Sequence, residues 1–441
     1  MSFHLDESNS AAGLEVFGKK HKGLISRMKR SLSVNNGKEP LSTISSSSSS
    51  SNSSGSNKPM QRSFNSNIHF GSSHENTAST VSARSFSSVT SNKNTSTPSF
   101  SANEAKLMFK TAKEEDHKKT LDLAPTPAMY WSIVELLGLE PPKLRAHASA
   151  VYDGKMYVYG GTTRTACSDT LYVLDLDTLH WSEPKVYGTP PPPCRAHCFV
   201  VDDNGNIYLV GGGDGQAYYN HVYKFNTYTM TWTCLETAHK PSERRAHAAV
   251  IWNDGLYIFG GGDGKKALND VHILNLKTLM WSELRTTGDK PSSRGYHSGT
   301  LVGDKVVIFG GSDGKECFGD VHVLDLVHQK WHKIPMEKSI PRLSHSATSV
   351  GSYLFIIGGH DGEQYCNELI LLNLVSLKWE TKRVYGQAPS PRGYHSTVLY
   401  DSRLFLFGGY NGSKFSNQVY ILELSSYAYL PHFVNFTIET P

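Results

Sequence analysis

The sequence of 441 residues holds no run of about 18 apolar side chains, so no segment reads as a membrane-spanning helix. It opens MSFHLDESNS, without the apolar stretch of a secretory signal, and Asp6, Glu7 and Glu15 are out of place in a mitochondrial presequence. Its six cysteines, Cys167, Cys194, Cys198, Cys234, Cys317 and Cys366, form no Cys-x-x-Cys pair. Scattered in this way, they predict the reduced thiols of a cytoplasmic protein rather than a disulfide framework. No phosphate-binding glycine loop leads into a helical pattern. The histidines lack acidic or thiol neighbours at ligand spacing, so neither a metal nor any other cofactor is expected. Cys194-Arg-Ala-His-Cys198 is the one local cluster, and an alternating strand splits its three candidate ligands. Hydrophobic residues make up only 38% of the chain.

That shortage is unevenly placed. Residues 1–127 contain no Trp and no Tyr but about 30 Ser, with 16 Lys/Arg against 10 Asp/Glu. They cannot bury enough apolar surface to offset the entropy of ordering and read as a disordered, basic tail. The remainder is left with 28 basic and 30 acidic residues, a slight negative balance that argues against a nucleic-acid ligand.

Residues from 128 onward repeat. Glycine doublets follow apolar-aromatic runs at Gly160-Gly161, Gly211-Gly212, Gly260-Gly261, Gly310-Gly311, Gly358-Gly359 and Gly408-Gly409, at intervals of 48 to 51 residues. Twenty residues after each second glycine stands an aromatic: Trp181, Trp232, Trp281, Trp331, Trp379 and Tyr429. Thirteen residues before each first glycine stands a histidine (His147, His247, His297, His345, His395), or fourteen for His197. Between these marks lie four short β-branched and aromatic runs per unit, bounded by Gly, Asn or Asp, here lettered a to d. Four strands in about 50 residues is the pattern of a propeller blade. Without amphipathic runs of about 10–15 residues between the strands, α/β winding is excluded. Consecutive glycines suit a sharp turn and a close approach at the end of strand b. The outer Trp supplies a large face to pack between blades. Asp175, Asn226, Asn275, Asp325, Asn373 and Glu423, at the end of strand c, suit a turn that bonds its own backbone.

The doublet after strand b (YIFGG), the Asn269-Asp270 and Asn367-Glu368 pairs before strand c and the Trp of strand d resemble kelch repeats, over about two thirds of the chain. The resemblance implies an all-β, six-bladed propeller at 128–430, followed by a C-terminal tail at 431–441. A further Trp, Trp131, lies 50 residues before Trp181 in a similar context. Residues 129–136 are therefore expected to supply strand d of blade six and to leave no sheet edge exposed. The alternative is that 425–432, around Tyr429, forms that strand and Trp131 packs elsewhere.

Loops b–c and d–a emerge together, and function tends to sit on loops held by a rigid scaffold. Each unit places an arginine ahead of strand a: Arg145, Arg195, Arg245, Arg294, Arg342 and Arg392. The first three read Arg-Ala-His and the last three Arg-x-x-His; Arg244 gives unit three both registers. If all six reach the central funnel, they would favour an acidic or phosphorylated peptide. If they serve the repeat, they bond backbone or neighbouring blades. Breaks in the symmetry, namely Arg164, Tyr218, Tyr219, Tyr365, Tyr394 and Tyr410, are the sharper candidates for partner contact. No nucleophile–base constellation is visible, and the sialidase box S-x-D-x-G-x-T-W is absent. The expected function is thus a non-catalytic protein-binding scaffold; the alternative is an enzyme with its site in the funnel, oxidase- or hydrolase-like. No BTB, BACK or F-box pattern is visible. The chain is similar to stand-alone and fungal-type kelch proteins of signalling and cell polarity, which implies small-GTPase or cytoskeletal regulators as partners.

The tail carries Arg30-Ser31-Leu32-Ser33 and Arg84-Ser85-Phe86-Ser87. Both resemble basophilic-kinase sites and, once phosphorylated at Ser33 and Ser87, the core that 14-3-3 proteins read. Ser101 to Glu104 has the form of a capping box and predicts a short helix over 102–116.

Overall fold

The computed structural model describes residues 129–424, 438 and 440. The tail 1–127, its expected helix, Ser33, Ser87 and Tyr429 lie outside the described residues. Every regular element among the described residues is a β-strand, and the strands form six sheets.

Blade three shows the unit. Strand a, Ala248–Trp252, strand b, Gly255–Phe259, strand c, Val271–Asn275, and strand d, Met280–Glu283, pair antiparallel in sequence order. Strand b is buried on both faces because adjacent blades cover both sides of each sheet, so it reads as a continuous apolar run. The c–d turns form as the side chains predict. Oδ1 of Asp175, Asn226, Asn275, Asp325 and Asn373 accepts the backbone N–H three residues on, at 2.8 to 3.0 Å. Glu423 is the departure: it pairs with Tyr130 and Arg403 at a strand end.

The outer tryptophans hold blades together. Trp181 packs on Phe407 of blade six, Trp232 on Tyr159, Trp331 on Phe259 and Trp379 on Phe309, with ring centroids 5.1 to 5.3 Å apart. Each partner is the last aromatic of the preceding blade's strand b. Fully burying one such ring contributes roughly 2–3 kcal/mol, and the ring contact adds about 1. Trp379 is only half-buried and donates its Nε1–H to Lys338 O at 2.9 Å.

Strand d of the sixth sheet is Met129–Ile133, which pairs antiparallel with Val419–Glu423 and sets Trp131 opposite Leu422. The first described strand thus completes the last blade. Inner strands contact their neighbours in a closed circuit of six. After strand d, the chain also adds a short parallel strand to the outer edge of the following blade, a feature the sequence reading does not contain. Leu137–Gly138 pairs with His180–Trp181, Tyr187–Gly188 with Thr231–Trp232, Thr287–Gly288 with Lys330–Trp331, and Val384–Gly386 with Met129–Trp131. These additions cover edges that would otherwise offer free N–H and C=O groups. Ile438, within the expected C-terminal tail, is buried against Leu372 and Leu374 of blade five and its neighbours.

Candidate functional site

The segment that leads into each strand a builds one end of the channel. The residue before each histidine (Ala146, Ala196, Ala246, Tyr296, Ser344 and Tyr394) sits in the left-handed region, at φ between 51 and 59°. That backbone costs roughly 1–2 kcal/mol per residue outside glycine. Its return is a ring. Ala196 N–H donates to Ala146 O, Ala246 to Ala196, Tyr296 to Ala246, Ser344 to Tyr296, Tyr394 to Ser344 and Ala146 to Tyr394, all at 2.7 to 2.9 Å. Six interblade bonds close on themselves around the axis.

The histidines and the glycine doublets belong to one device. A Cβ on Gly160 would lie 2.7 Å from Cε1 of His197 in the next blade, and one on Gly161 2.8 Å from Cβ of its own His147. Each doublet is therefore clasped between two imidazoles. Burial pushes His147, His197, His247, His297 and His395 down to about 3 and holds His345 well below its usual range. Where the residue after the histidine is Ser, a polar clasp joins neighbouring blades: His147 Nε2 to Ser396, His345 to Ser298 and His395 to Ser346, at 2.8 to 3.0 Å. These imidazoles serve the scaffold. Among the described residues, no three His, Cys, Asp or Glu side chains converge as a metal site would.

The six arginines do not form one ring. Arg294, Arg342 and Arg392 stand three residues before the histidine, together with Arg244, and all four are buried. Their Nη1 donates to the first glycine of the blade's doublet, at 3.0 to 3.1 Å. In three of them a carboxylate is added: Asp270 with Arg244 at 2.7 and 2.8 Å, Asp320 with Arg294 at 2.6 and 3.1 Å, and Glu368 with Arg342 at 3.0 Å. Burial would raise the Asp270 and Asp320 carboxyls, but Arg244 and His272 hold the first, and His322 and Arg294 the second, well below the usual range. Arg145, Arg195 and Arg245 instead stand two residues before the histidine, bridged to the residue after the doublet. Side-chain direction alternates along extended chain, so one residue of register sends the two sets to different partners; in the second set Arg195 and Arg245 are buried too, and Arg145 is half-buried.

That bridge continues into loop b–c, so each blade sets three residues side by side. Blades one to three present Arg145, Thr162 and Cys167; Arg195, Gly213 and Tyr218; and Arg245, Gly262 and Ala267. Blade four presents only Gly295, Ser312 and Cys317. Blades five and six present Leu343, His360 and Tyr365, then Gly393, Tyr410 and Phe415. Blades one to three carry the arginines of this set, of which Arg195 and Arg245 are buried, and blades five and six carry aromatic rings. They meet where blade one follows blade six: Arg145 lies over Tyr410, Phe415 and Tyr394 at 5.0, 5.3 and 5.5 Å from the ring centres. The aromatic side is continuous, with His360 on Tyr365 at 4.8 Å, Tyr365 on Tyr410 at 5.7 Å and Tyr410 on Phe415 at 5.1 Å. Inside the ring, Tyr296 meets Tyr394 edge to face at 5.6 Å.

Of the residues singled out from sequence, Arg145, Tyr365, Tyr394 and Tyr410 come together. Arg164 is exposed on loop b–c of blade one, and its charge reaches Tyr410. Tyr218 lies 4.9 Å from the Arg245 guanidinium. Arg195 is buried against its own loop, where a Cβ on Gly215 would lie 3.1 Å from Nη2. Tyr219 packs into the core between blades one and two, and burial with its bond to Asp214 pushes its phenol above the ordinary range. Sequence reading missed Tyr296, His360 and Phe415. The signal was available for two of them: Arg-Gly-Tyr-His occurs twice, and Phe415 falls six residues after its doublet, as Tyr218 and Tyr365 do.

The family model described as the KLHDC2/KLHL20/DRC7 Kelch-repeats domain matches residues 110–239, 146–359 and 337–432. Kelch domain-containing protein 10 of Homo sapiens is 30% identical over 136 residues, 28% of this chain and 30% of that protein. The same protein of Rattus norvegicus is 30% identical over 28% of this chain and 33% of its own length. Acyl-CoA-binding domain-containing protein 5 of Arabidopsis thaliana is 31% identical over 116 residues, 26% of this chain and 18% of that protein. The matched part spans about a third or less of the length of these curated relatives.

Proposed function

The chain belongs to the kelch-repeat family, and on that premise we propose that its propeller is a non-catalytic scaffold that binds a protein partner through the mouth formed by the b–c and d–a loops. Kelch propellers commonly serve as protein-interaction scaffolds and are generally non-catalytic. The observation that carries the assignment to this face is the junction of Arg145 with Tyr394, Tyr410 and Phe415, extended by Tyr365 and His360. Arginine and tyrosine held rigid on a concave rim are the side chains that binding hot spots use. Rings already fixed by their neighbours lose little rotamer freedom on binding. Arg145, half-buried beside these rings, favours an acidic or phosphorylated peptide.

Within this reading, the Ser-rich tail regulates the scaffold in the cytoplasm through phosphorylation at Ser33 and Ser87, with 14-3-3 as the reader. The pathway is one of signalling or cell polarity, through small-GTPase or cytoskeletal regulators. The test is crosslinking capture with the full chain, compared with an Arg145→Ala/Tyr365→Ala variant and with Tyr228→Ala, an exposed position in a c–d turn at the opposite end. Loss of the same partners from the first variant and their retention by the second is the expected outcome. Equal recovery by all three removes the mouth as the recognition face.

A further inference from the structure

At the position three residues before the histidine, a buried arginine and its carboxylate occur together or not at all in five of the six blades. In blades three, four and five, Arg244, Arg294 and Arg342 pair with Asp270, Asp320 and Glu368, nine residues after the second glycine of the doublet. In blades one and two both members are absent: Leu144 and Cys194 replace the arginine, and Thr170 and His221 stand at the acidic position. Blade six alone breaks the rule. Arg392 is buried and keeps its bonds to Gly408 O at 3.0 Å and to Ser390 O and Oγ at 3.1 and 3.0 Å. The position of the acid is Gln418, whose Oε1 accepts from Tyr420 at 3.2 Å. Nη1 of Arg392 turns to the Ser416 hydroxyl, at 3.2 Å, instead. None of the partners shown for Arg392 is a carboxylate.

Beside this guanidinium opens a groove of about 310 Å³, whose lining includes Arg392, Lys143, Lys414, Asn411 and Ser416. Among the described residues, three cations and no carboxylate line it. Asn417 of the lining donates to Glu140 at 3.2 Å. A buried cation without a counterion is costly, and a carboxylate in two-point contact with a guanidinium is the strongest neutral remedy the sister blades display.

We propose that the blade-six groove is a docking site for an acidic segment of a partner protein, with one glutamate or aspartate carboxylate taking the place that Asp270, Asp320 and Glu368 fill in blades three to five. Lys143 and Lys414 then meet the neighbouring acidic side chains. The proposal rests on the scaffold reading and narrows it to one blade and one chemistry.

The test uses the full chain and a fluorescein-labelled hexaglutamate capped at its C-terminus, read by anisotropy at fixed salt. Wild type is expected to bind. Gln418→Glu supplies the missing carboxylate from within, as Glu368 does beside Arg342, and is expected to weaken binding at least tenfold while the denaturation midpoint holds or rises. Lys143→Gln/Lys414→Gln is expected to weaken it to a similar degree. Absence of wild-type binding, or equal binding by wild type and Gln418→Glu, overturns the proposal. Binding of a phosphoserine hexapeptide in place of hexaglutamate overturns the choice of carboxylate. The wider reading fails separately: it falls when Arg145→Ala/Tyr365→Ala retains every partner, and it stands, without this groove, when Gln418→Glu retains them.

Discussion

Lowering the pH from 7.5 to 5 should unfold this propeller well before its carboxylates titrate. The perturbation acts on six histidines, each buried between the glycine doublet of the preceding blade and its own. Burial disfavours the charged imidazole, and five of the six are pushed from 6.5 down to about 3. An unfolded chain would titrate them near the ordinary value, so between these limits the unfolded state holds more protons and stability rises with pH. Their contribution is complete above about 6.5 and is lost progressively as pH falls toward about 3. At pH 5 each imidazole costs about 2 kcal/mol relative to neutral pH, and five together cost about 10. That equals the whole stability of a typical domain, about 5–15 kcal/mol. His360, lowered by partial burial, acts with the same sign. Asp270, held low by Arg244 and His272, and Asp320, held low by His322 and Arg294, lose their contribution only below their ordinary value near 3.8, so they are silent in this window. The assay is urea denaturation followed by tryptophan fluorescence at half-unit steps from pH 7.5 to 5. The midpoint should fall steeply, and His197→Gln should reduce the slope by about one proton. A midpoint that stays flat across this range would refute the claim that these imidazoles are buried and neutral.

Other perturbations follow from the same structure. Arg294→Met removes one of the two cationic partners of the Asp320 carboxylate, which keeps His322 at 3.0 Å, and should cost about 1.5–3 kcal/mol, measured by denaturant unfolding, whereas Arg164→Met on an exposed loop should change stability by less than about half a kcal/mol. Trp131→Ala removes the buried ring of the closing strand and should cost about 3–5 kcal/mol, with earlier aggregation on size-exclusion chromatography as the sixth sheet opens. Gly161→Ala forces a Cβ onto a backbone at φ 86°, 2.8 Å from Cβ of His147, and should lower the melting temperature more than Gly303→Ala, where the φ is also positive but nothing lies within 4 Å. Phosphopeptide mass spectrometry of the chain from cells should find Ser33 and Ser87 modified, and good coverage of both with no modified form would defeat the regulatory proposal.

Much of the architecture was legible because it is local and repeated. A glycine doublet, a histidine thirteen residues earlier and a tryptophan twenty residues later report strand ends and faces, and six copies confirm one another. The c–d turns were equally readable, since Asp175 or Asn275 bonds its own backbone and needs no distant partner. The short parallel strands at the rim were not, because Tyr187-Gly188 and Thr287-Gly288 look like loop until the neighbouring blade offers an edge. The arginines show a finer limit. Arg245 and Arg244 are adjacent in sequence and both buried, yet one lies on the ring of Tyr218 and the other against Asp270.

The sequence by itself determined the class of fold, the number of blades and the residues each blade repeats, since period and spacing are written along one chain. Which of those residues remain available to a partner was decided only by the ring. Closing six sheets about an axis brings Arg145 of the first blade onto Tyr410 and Phe415 of the last, more than 260 positions away in the chain. The same closure buries the histidines between blades and, among the described residues, leaves Arg392 without the carboxylate that Arg244, Arg294 and Arg342 have. These outcomes depend on which side chain meets which across a blade boundary, and no local pattern encodes that.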